Sequence, residues 1–564
     1  MFQASIDPVG GSLGLSALVA CIPLVTFFVC LVGFKLKAHI SAAISLVAAI
    51  VVAIFGFQMP FDLTVLSATQ GAMYGLFPIC FIIIAAVWFY QLTVISGRNK
   101  DLRALFDIVG GGDLRIQAIL VAFCFGGLLE ALAGFGAPIA ITATMILALG
   151  VKPVRAAMVV LIANTAPVAF GAVATPIITA GNMAPGAEGA AATATHVAAI
   201  VGTQAPIFAC IVPLLILLVL DGKKGLRDCW LPALITGVSF GVVQWWCSNH
   251  FAFELTDVIA ALVSLGLSVV FLHFWKPRGV AEMRERFDLE PLSEEGAKHD
   301  LTPVRAWMAL VPYVIVTCVF AVGKLALPLS SFDIKIPWPG LTQVGADGTV
   351  TSLVLNAAGS NPGTVFTLSW LSNPGSMLLI AGLIVAIVYT IFNGKGEFKT
   401  SVWAGIKEFG LTFVHMRLSV LTIVLVLSLA YVMNFSGQTI SIGQFLAGTG
   451  PLFPLLSPIL GWVGTAVTGS DTSANALFAS LQAEACNANP ALSHTSPDLF
   501  LAANTMGGVM GKMISPQSLA IAALATGEKE ATLFKKILPW SLGMLAVFCL
   551  YVFAQSTFLG FLVP

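Results

Sequence analysis

Charge is scarce in this sequence. Only 10% of its 564 residues are Asp, Glu, Lys or Arg, where soluble domains carry about 25%. Hydrophobic residues make up 58%, and mean hydropathy is +0.95. That balance excludes a string of soluble domains. Net charge is zero, which removes the electrostatic case for a nucleic-acid partner. The ten cysteines are scattered, mostly in apolar runs, and form no Cys-x-x-Cys pair. Neither a disulfide framework nor a metal site is expected from them. There is no His-Glu-x-x-His helix and no clustered His/Cys set, so no metal, no cofactor and no enzyme activity are expected. A basic start is also missing ahead of the first apolar run, which argues against a cleavable signal peptide.

What is abundant is apolar sequence in runs long enough to cross a hydrocarbon layer of roughly 30 Å. Cytoplasmic loops collect Lys and Arg. Read this way, the bases at 35–37, 98–115, 152–155, 223–227, 276–305, 395–407 and 529–536 fall on one side. The exceptions are Lys324, Lys335, Arg417 and Lys512. The pattern predicts an all-α polytopic membrane protein with about 12 transmembrane helices plus two re-entrant hairpins. Both termini fall on the base-poor, periplasmic side, and lipid is a partner throughout.

Two apolar stretches are broken in the middle. Residues 116–149 are interrupted by Gly134-Phe135-Gly136-Ala137-Pro138 and have bases at both ends. Residues 451–485 are interrupted by Gly469-Ser470-Asp471-Thr472-Ser473 and have none. The first hairpin is therefore expected to open inside and the second outside. Each is followed by a run with the same polar, helix-breaking pattern. Asn164-Thr165, Gly171 and Thr175-Pro176 lie in 156–180. Asn504-Thr505, Gly511 and Ser515-Pro516, at the same spacing, lie in 498–526. These matches divide the chain into inverted repeats, 13–220 and 306–562, joined by linking helices and a cytoplasmic connector, 221–305. Inverted repeats with broken helices place substrate and coupling ion near the membrane midplane.

The residues able to do chemistry there are few. Lys512 is a cation inside an apolar run, costing about 2.5–3.5 kcal/mol on insertion scales. It is a candidate for holding the carboxylate of a small anionic substrate. A structural pair with Asp471 or Glu130 is the plainer alternative. Glu130 and Asp471 are intramembrane carboxylates and candidate proton carriers, although Asp471 at a tip could simply cap a half-helix. The tips supply Gly134, Phe135, Gly136, Ser470 and Ser473, whose backbone N–H groups at half-helix N-termini suit an anion. Asn164, Thr165, Asn504 and Thr505 could read a hydroxyl or carboxylate, or act as interhelical glue. Arg417 reads as snorkelling to headgroups, and Trp88, Trp245, Trp246, Trp370 and Trp540 as interfacial anchors.

The segments Gly126-Gly-Leu-Leu-Glu130-Ala-Leu-Ala-Gly-Phe-Gly-Ala-Pro138, Ile162-Ala-Asn-Thr-Ala-Pro-Val-Ala-Phe-Gly171, Thr468-Gly-Ser-Asp-Thr-Ser-Ala-Asn-Ala-Leu-Phe478 and 504–517 resemble the bacterial L-lactate permease family. The resemblance covers nearly the whole chain. It implies proton-coupled uptake of 2-hydroxymonocarboxylates, namely L-lactate, D-lactate and glycolate, in a bacterial cytoplasmic membrane. More distantly the chain is similar to ion-transporter carriers of dicarboxylates and citrate. That likeness implies an elevator-like architecture and keeps a sodium-coupled di- or tricarboxylate carrier as the alternative. Here, however, the Asn-Thr pairs fall in the broken spans and not in the hairpin tips. A homodimer is compatible with this reading.

Overall fold

Within a hydrocarbon layer the backbone must satisfy its own polar groups, which is why apolar runs close into helices. The computed structural model describes all residues except 35, 102–112, 133, 135–136, 290–301, 346–348, 358, 360, 362, 395–397 and 399. Among the described residues, 11 helices are long and apolar enough to cross a membrane. Two of them, Leu114–Leu132 and Gly450–Thr468, are arms of the expected hairpins. The segment Ala190–His250 holds two expected spans, with non-helical backbone at Gly222 and Cys229 between them. The expected spans 156–180 and 498–526 do not qualify, because each is interrupted, the first after Ala163 and the second after Lys512.

Helices from the two ends of the sequence interleave into two bundles. In one, Ala38–Val51, Phe61–Tyr74 and Phe81–Ile95 pack on Val402–Ser436 and Pro374–Ile391. In the other, both hairpins and both broken helices pack together with Ala190–His250, Thr256–Phe274 and Glu530–Gln555. The bundles meet where Asp471–Asn487 packs on Val402–Ser436 and where Gly171–Met183 packs on Phe81–Ile95.

Small residues let the second bundle close. A methyl at Gly461 would lie 2.0 Å from the Asn504 carbonyl, and one at Gly507 2.1 Å from the Pro458 carbonyl. Helices 453–468 and 497–512 therefore touch backbone to backbone, the small-residue contact that drives association where lipid removes the hydrophobic incentive. Beside this seam runs a buried polar chain. Ser457 Oγ donates to Gln482 Oε1, Gln482 Nε2 donates to Asn504 Oδ1 at 2.7 Å, and Asn504 Nδ2 donates to Asn475 Oδ1 at 3.0 Å. Thr505 Oγ1 also reaches Asn475 Oδ1, at 3.1 Å, and Asn475 Nδ2 donates to the Asp471 carbonyl at 3.1 Å.

At the base of the first hairpin, Arg115 is fully buried and forks onto Asp113, Asp221 and Asp228 at 2.8, 3.3 and 3.0 Å. Arg286 joins the cluster through Asp221. The opposite end of the first bundle carries short strands in 328–374. Ile334–Pro337 pairs antiparallel with Val365–Leu368, and Phe2–Gln3 pairs parallel with Val354–Leu355. Helix Phe61–Tyr74 begins ten residues before the expected span and supports this cap, with Gln70 Nε2 donating to the Gly363 carbonyl at 2.9 Å. Trp88 is a correction. It is not an interfacial anchor but a core residue, 1% exposed, whose Nε1 donates to the Gly405 carbonyl at 2.7 Å and whose ring fills the space left by Gly382. Trp245, Trp246 and Trp370 are exposed.

Candidate functional site

The two hairpins and the two helix breaks converge on one point. Helix Gly126–Leu132 ends just before Gly134, which turns the chain in the left-handed region at φ 52°. Helix Phe453–Thr468 ends at Gly469, also left-handed at φ 78°, and Ser470 then caps the next helix by accepting from the Ser473 N–H at 3.3 Å. The first broken span unwinds after Asn164 and restarts at Gly171. It does so through three successive left-handed residues, Ala172, Val173 and Ala174, with φ 44°, 59° and 56°. Such a conformation costs roughly 1–2 kcal/mol per non-glycine residue, so the surroundings must hold it in place.

Lys512 is the last residue of its helix and is buried against this point. Its Nζ pairs with Glu130 Oε1 across the two halves of the chain, with side chains 11% and 2% exposed. The second oxygen of Glu130 has no hydrogen-bond partner. Asp471 lies within electrostatic reach of Lys512 and takes one hydrogen bond from Thr465 Oγ1 at 3.3 Å, and its other oxygen is also unpartnered. Glu130, Asp471, Lys512, Gly134, Ser470 and Gly171 line one cavity, joined by Val168, Ala172, Pro176, Gly469 and Thr472. Its volume is about 30 Å³, enough to admit water. Lys512 and Val168 also line a narrower crevice, together with Asn164, Thr165, Ser518 and apolar neighbours.

The expected site residues therefore separate into three groups. Lys512, Glu130, Asp471, Gly134 and Ser470 share the cavity, and Asn164 and Thr165 flank the same lysine. Asn504 and Thr505 are fully buried in the polar chain running to Asn475, and Ser473 serves through its backbone at the cap. Phe135 and Gly136 lie outside the described residues. Sequence reasoning missed Val168, Ala172, Thr472 and Ser518. Their signal was only that they neighbour the helix-breaking motifs. Among the described residues no group of three His, Cys, Asp or Glu is placed to hold a metal ion.

A multi-pass helical membrane protein whose broken helices enclose one lysine and two carboxylates belongs to the class of polytopic transporters with a charged centre inside the membrane. The family follows from comparison with known proteins. The L-lactate permease family matches residues 16–559, and this chain belongs to that family. It is 38% identical to the glycolate permease GlcA of Escherichia coli K12, over 99% of this chain and 98% of that protein. It is 36% identical to the L-lactate permease of Bacillus subtilis 168, over 99% of each chain. It is also 36% identical to the L-lactate permease of Escherichia coli K12, over the full length of both. Among solved structures, the YdaH transporter of Alcanivorax borkumensis aligns over 80% of this chain and 86% of its own, at 15% identity and a TM-score of 0.32. That likeness is too weak to carry an argument about fold.

Proposed function

We propose that this protein takes up 2-hydroxymonocarboxylates, L-lactate, D-lactate and glycolate, by proton symport across a bacterial cytoplasmic membrane. The named relatives support the substrate class. The single observation that carries the mechanism is the Lys512–Glu130 pair at the cavity.

A substrate carboxylate and Glu130 compete for one ammonium group. While Glu130 is ionised it holds Lys512. Once Glu130 takes up a proton, Lys512 is free to hold the substrate, and the half-helix N-termini at the tips add to its attraction for an anion. Proton and substrate thus favour each other's binding, and the effect is reciprocal by linkage. Ser470, Asn164 and Thr165 are the groups offered to the 2-hydroxyl. A second carboxylate on the ligand would find no second cation among the described cavity residues, which weighs against a di- or tricarboxylate carrier.

The architecture suits alternating access by one bundle moving against the other, with repeats 13–220 and 306–562 inverted and both termini periplasmic. The pairing of Phe2–Gln3 with Val354–Leu355 supports a shared face for the amino terminus and the base-poor loop. Single cysteines introduced at Gly136 and Asp471 test this, since inverted hairpins label from opposite sides. The test of function is labelled L-lactate uptake into proteoliposomes with an imposed pH gradient and no sodium. Wild type is expected to accumulate substrate and Lys512→Ala to lose it. Accumulation that requires sodium or a dicarboxylate would replace this reading. Unchanged uptake by Lys512→Ala would remove the site.

A further inference from the structure

Beside the charged centre lies a carboxylate that this mechanism has not used. Asp257 stands in the first turn of helix Thr256–Phe274 and is 1% exposed. Its Oδ1 accepts from Gln244 Nε2 at 2.9 Å, and the same amide nitrogen reaches the Ala166 carbonyl at 3.2 Å. Its Oδ2 has no hydrogen-bond partner, and no cation pairs with it among the described residues. The Oε1 of Gln244 and Oγ1 of Thr256 are unpartnered as well. A buried carboxylate with neither counter-charge nor full hydrogen bonding is an expensive arrangement for an ion.

The packing of its helix sets Asp257 against Glu130. Cys124 Sγ contacts Ser264 Oγ at 3.7 Å, and a methyl at Gly127 would lie 3.9 Å from Ala261 Cβ. The two helices thus run antiparallel, three residues forward on one matching three back on the other. One further step brings 130 level with 257–258. The electrostatic influence of Glu130 on Asp257 agrees with that register. Cys247, from the segment Ala190–His250, also feels the charge of Asp257, and the buried Glu254 lies three residues before it.

We propose that Asp257 is a second proton-binding carboxylate of this site, and that the coupled proton passes through it to Glu130. The inference rests on the proton-symport reading above. In the step, the Asp257 carboxyl O–H bond breaks and its proton bonds to a Glu130 carboxylate oxygen, which releases Lys512. Asp257 is left ionised and regains a proton from water at the face occupied by the 251–255 turn. No electrons change hands. Chains of acidic side chains serve this purpose in other membrane pumps and transporters.

The test separates proton movement from substrate handling. Full-length protein in proteoliposomes is assayed for pH-gradient-driven accumulation of L-lactate, and for exchange of labelled against unlabelled L-lactate at equal pH, where the proton need not leave. In Asp257→Asn the ratio of accumulation to exchange is expected to fall about a hundredfold or more, the lower end of what positioned acid–base groups contribute. The pH profile of accumulation should flatten, and Asp257→Glu should restore both. An unchanged ratio in Asp257→Asn overturns the proposal. So does a proportional loss of both activities in Asp257→Asn and Asp257→Glu alike, which would show a packing role. Wild type that exchanges no 2-hydroxy acid would instead overturn the transport reading itself.

Discussion

Neutralising Glu130 without changing its shape is the sharpest test of the competition at Lys512. Glu130→Gln keeps the side-chain volume, which matters because a methyl at Gly171 would already lie 3.1 Å from Glu130 Oε1. What changes is charge. The compensation of Lys512 by Glu130 passes through a single oxygen, since Oε2 has no partner. Removing one partner of a buried pair costs about 3–5 kcal/mol, and the substrate carboxylate is the group that can recover part of this. On the competition mechanism the substrate must first displace Glu130 in wild type, whereas in the variant that competitor is gone. At mildly alkaline pH the variant is therefore expected to bind L-lactate more tightly than wild type, by about 1–3 kcal/mol or 5–150-fold, the usual size of a coupling energy. Its binding should be flat with pH, where wild-type affinity rises as pH falls. Calorimetry in detergent at two pH values measures both quantities, and proteoliposome uptake should show that tight binding no longer yields accumulation. Weaker binding in Glu130→Gln than in wild type, or an unchanged pH dependence, would sink the competition mechanism.

Other sites give independent outcomes. A methyl at Gly508 would lie 2.0 Å from Asp471 Oδ1 and 2.5 Å from Thr465 Oγ1, so Gly508→Ala is expected to impair transport, and thermal unfolding should show a loss of about 1–3 kcal/mol from overpacking. Gly382→Ala, whose methyl would lie 2.3 Å from the Trp88 ring, should lower the melting temperature by a similar mechanism and leave KM for lactate alone, because it disturbs the other bundle. Ala174→Gly reverses a usual rule. Glycine in a helix costs about 1 kcal/mol, but at φ 56° it removes a left-handed penalty of comparable size, so unfolding should find the variant no less stable than wild type.

The broken stretches, the lone membrane lysine and the two carboxylates were legible in the sequence because each violates what lipid permits. A cation, an acid or a Gly-Pro interruption inside an apolar run stands out against its neighbours. The partner of Lys512 was not legible. Glu130 is 382 residues away, and only the folding of one half against the other decides between it and Asp471. The two Asn-Thr pairs carry one pattern and have different surroundings. Asn164-Thr165 stands at a true helix break beside Lys512, while Asn504-Thr505 lies inside a continuous helix and bonds to Asn475. Spacing reports that two segments are alike but not which face each presents. Asp257 escaped for a different reason. An acid in the first turn of a helix reads as an ordinary helix terminus, and only its burial and missing partners distinguish it.

The charges at this centre bear on how many protons a monocarboxylate brings with it. Glu130 and Asp471 share one lysine, and Asp257 adds a third carboxylate beside Glu130 with no cation of its own among the described residues. With all three ionised the group would carry a net charge of minus two in a region where unpaired charge is costly, so neutrality requires two bound protons. Bringing in one carboxylate adds one negative charge and, on the competition mechanism, detaches Glu130 from Lys512. One further proton, on Glu130, restores the balance, and the substrate takes over the pair with Lys512. A coupling ratio of one proton per monocarboxylate follows from that count, and the cycle moves no net charge. Substrate accumulation should then follow the pH gradient and respond little to an imposed membrane potential. A strong dependence of steady-state accumulation on potential at zero pH gradient would mean that more than one proton travels, and that a second of the three carboxylates releases its proton in each cycle.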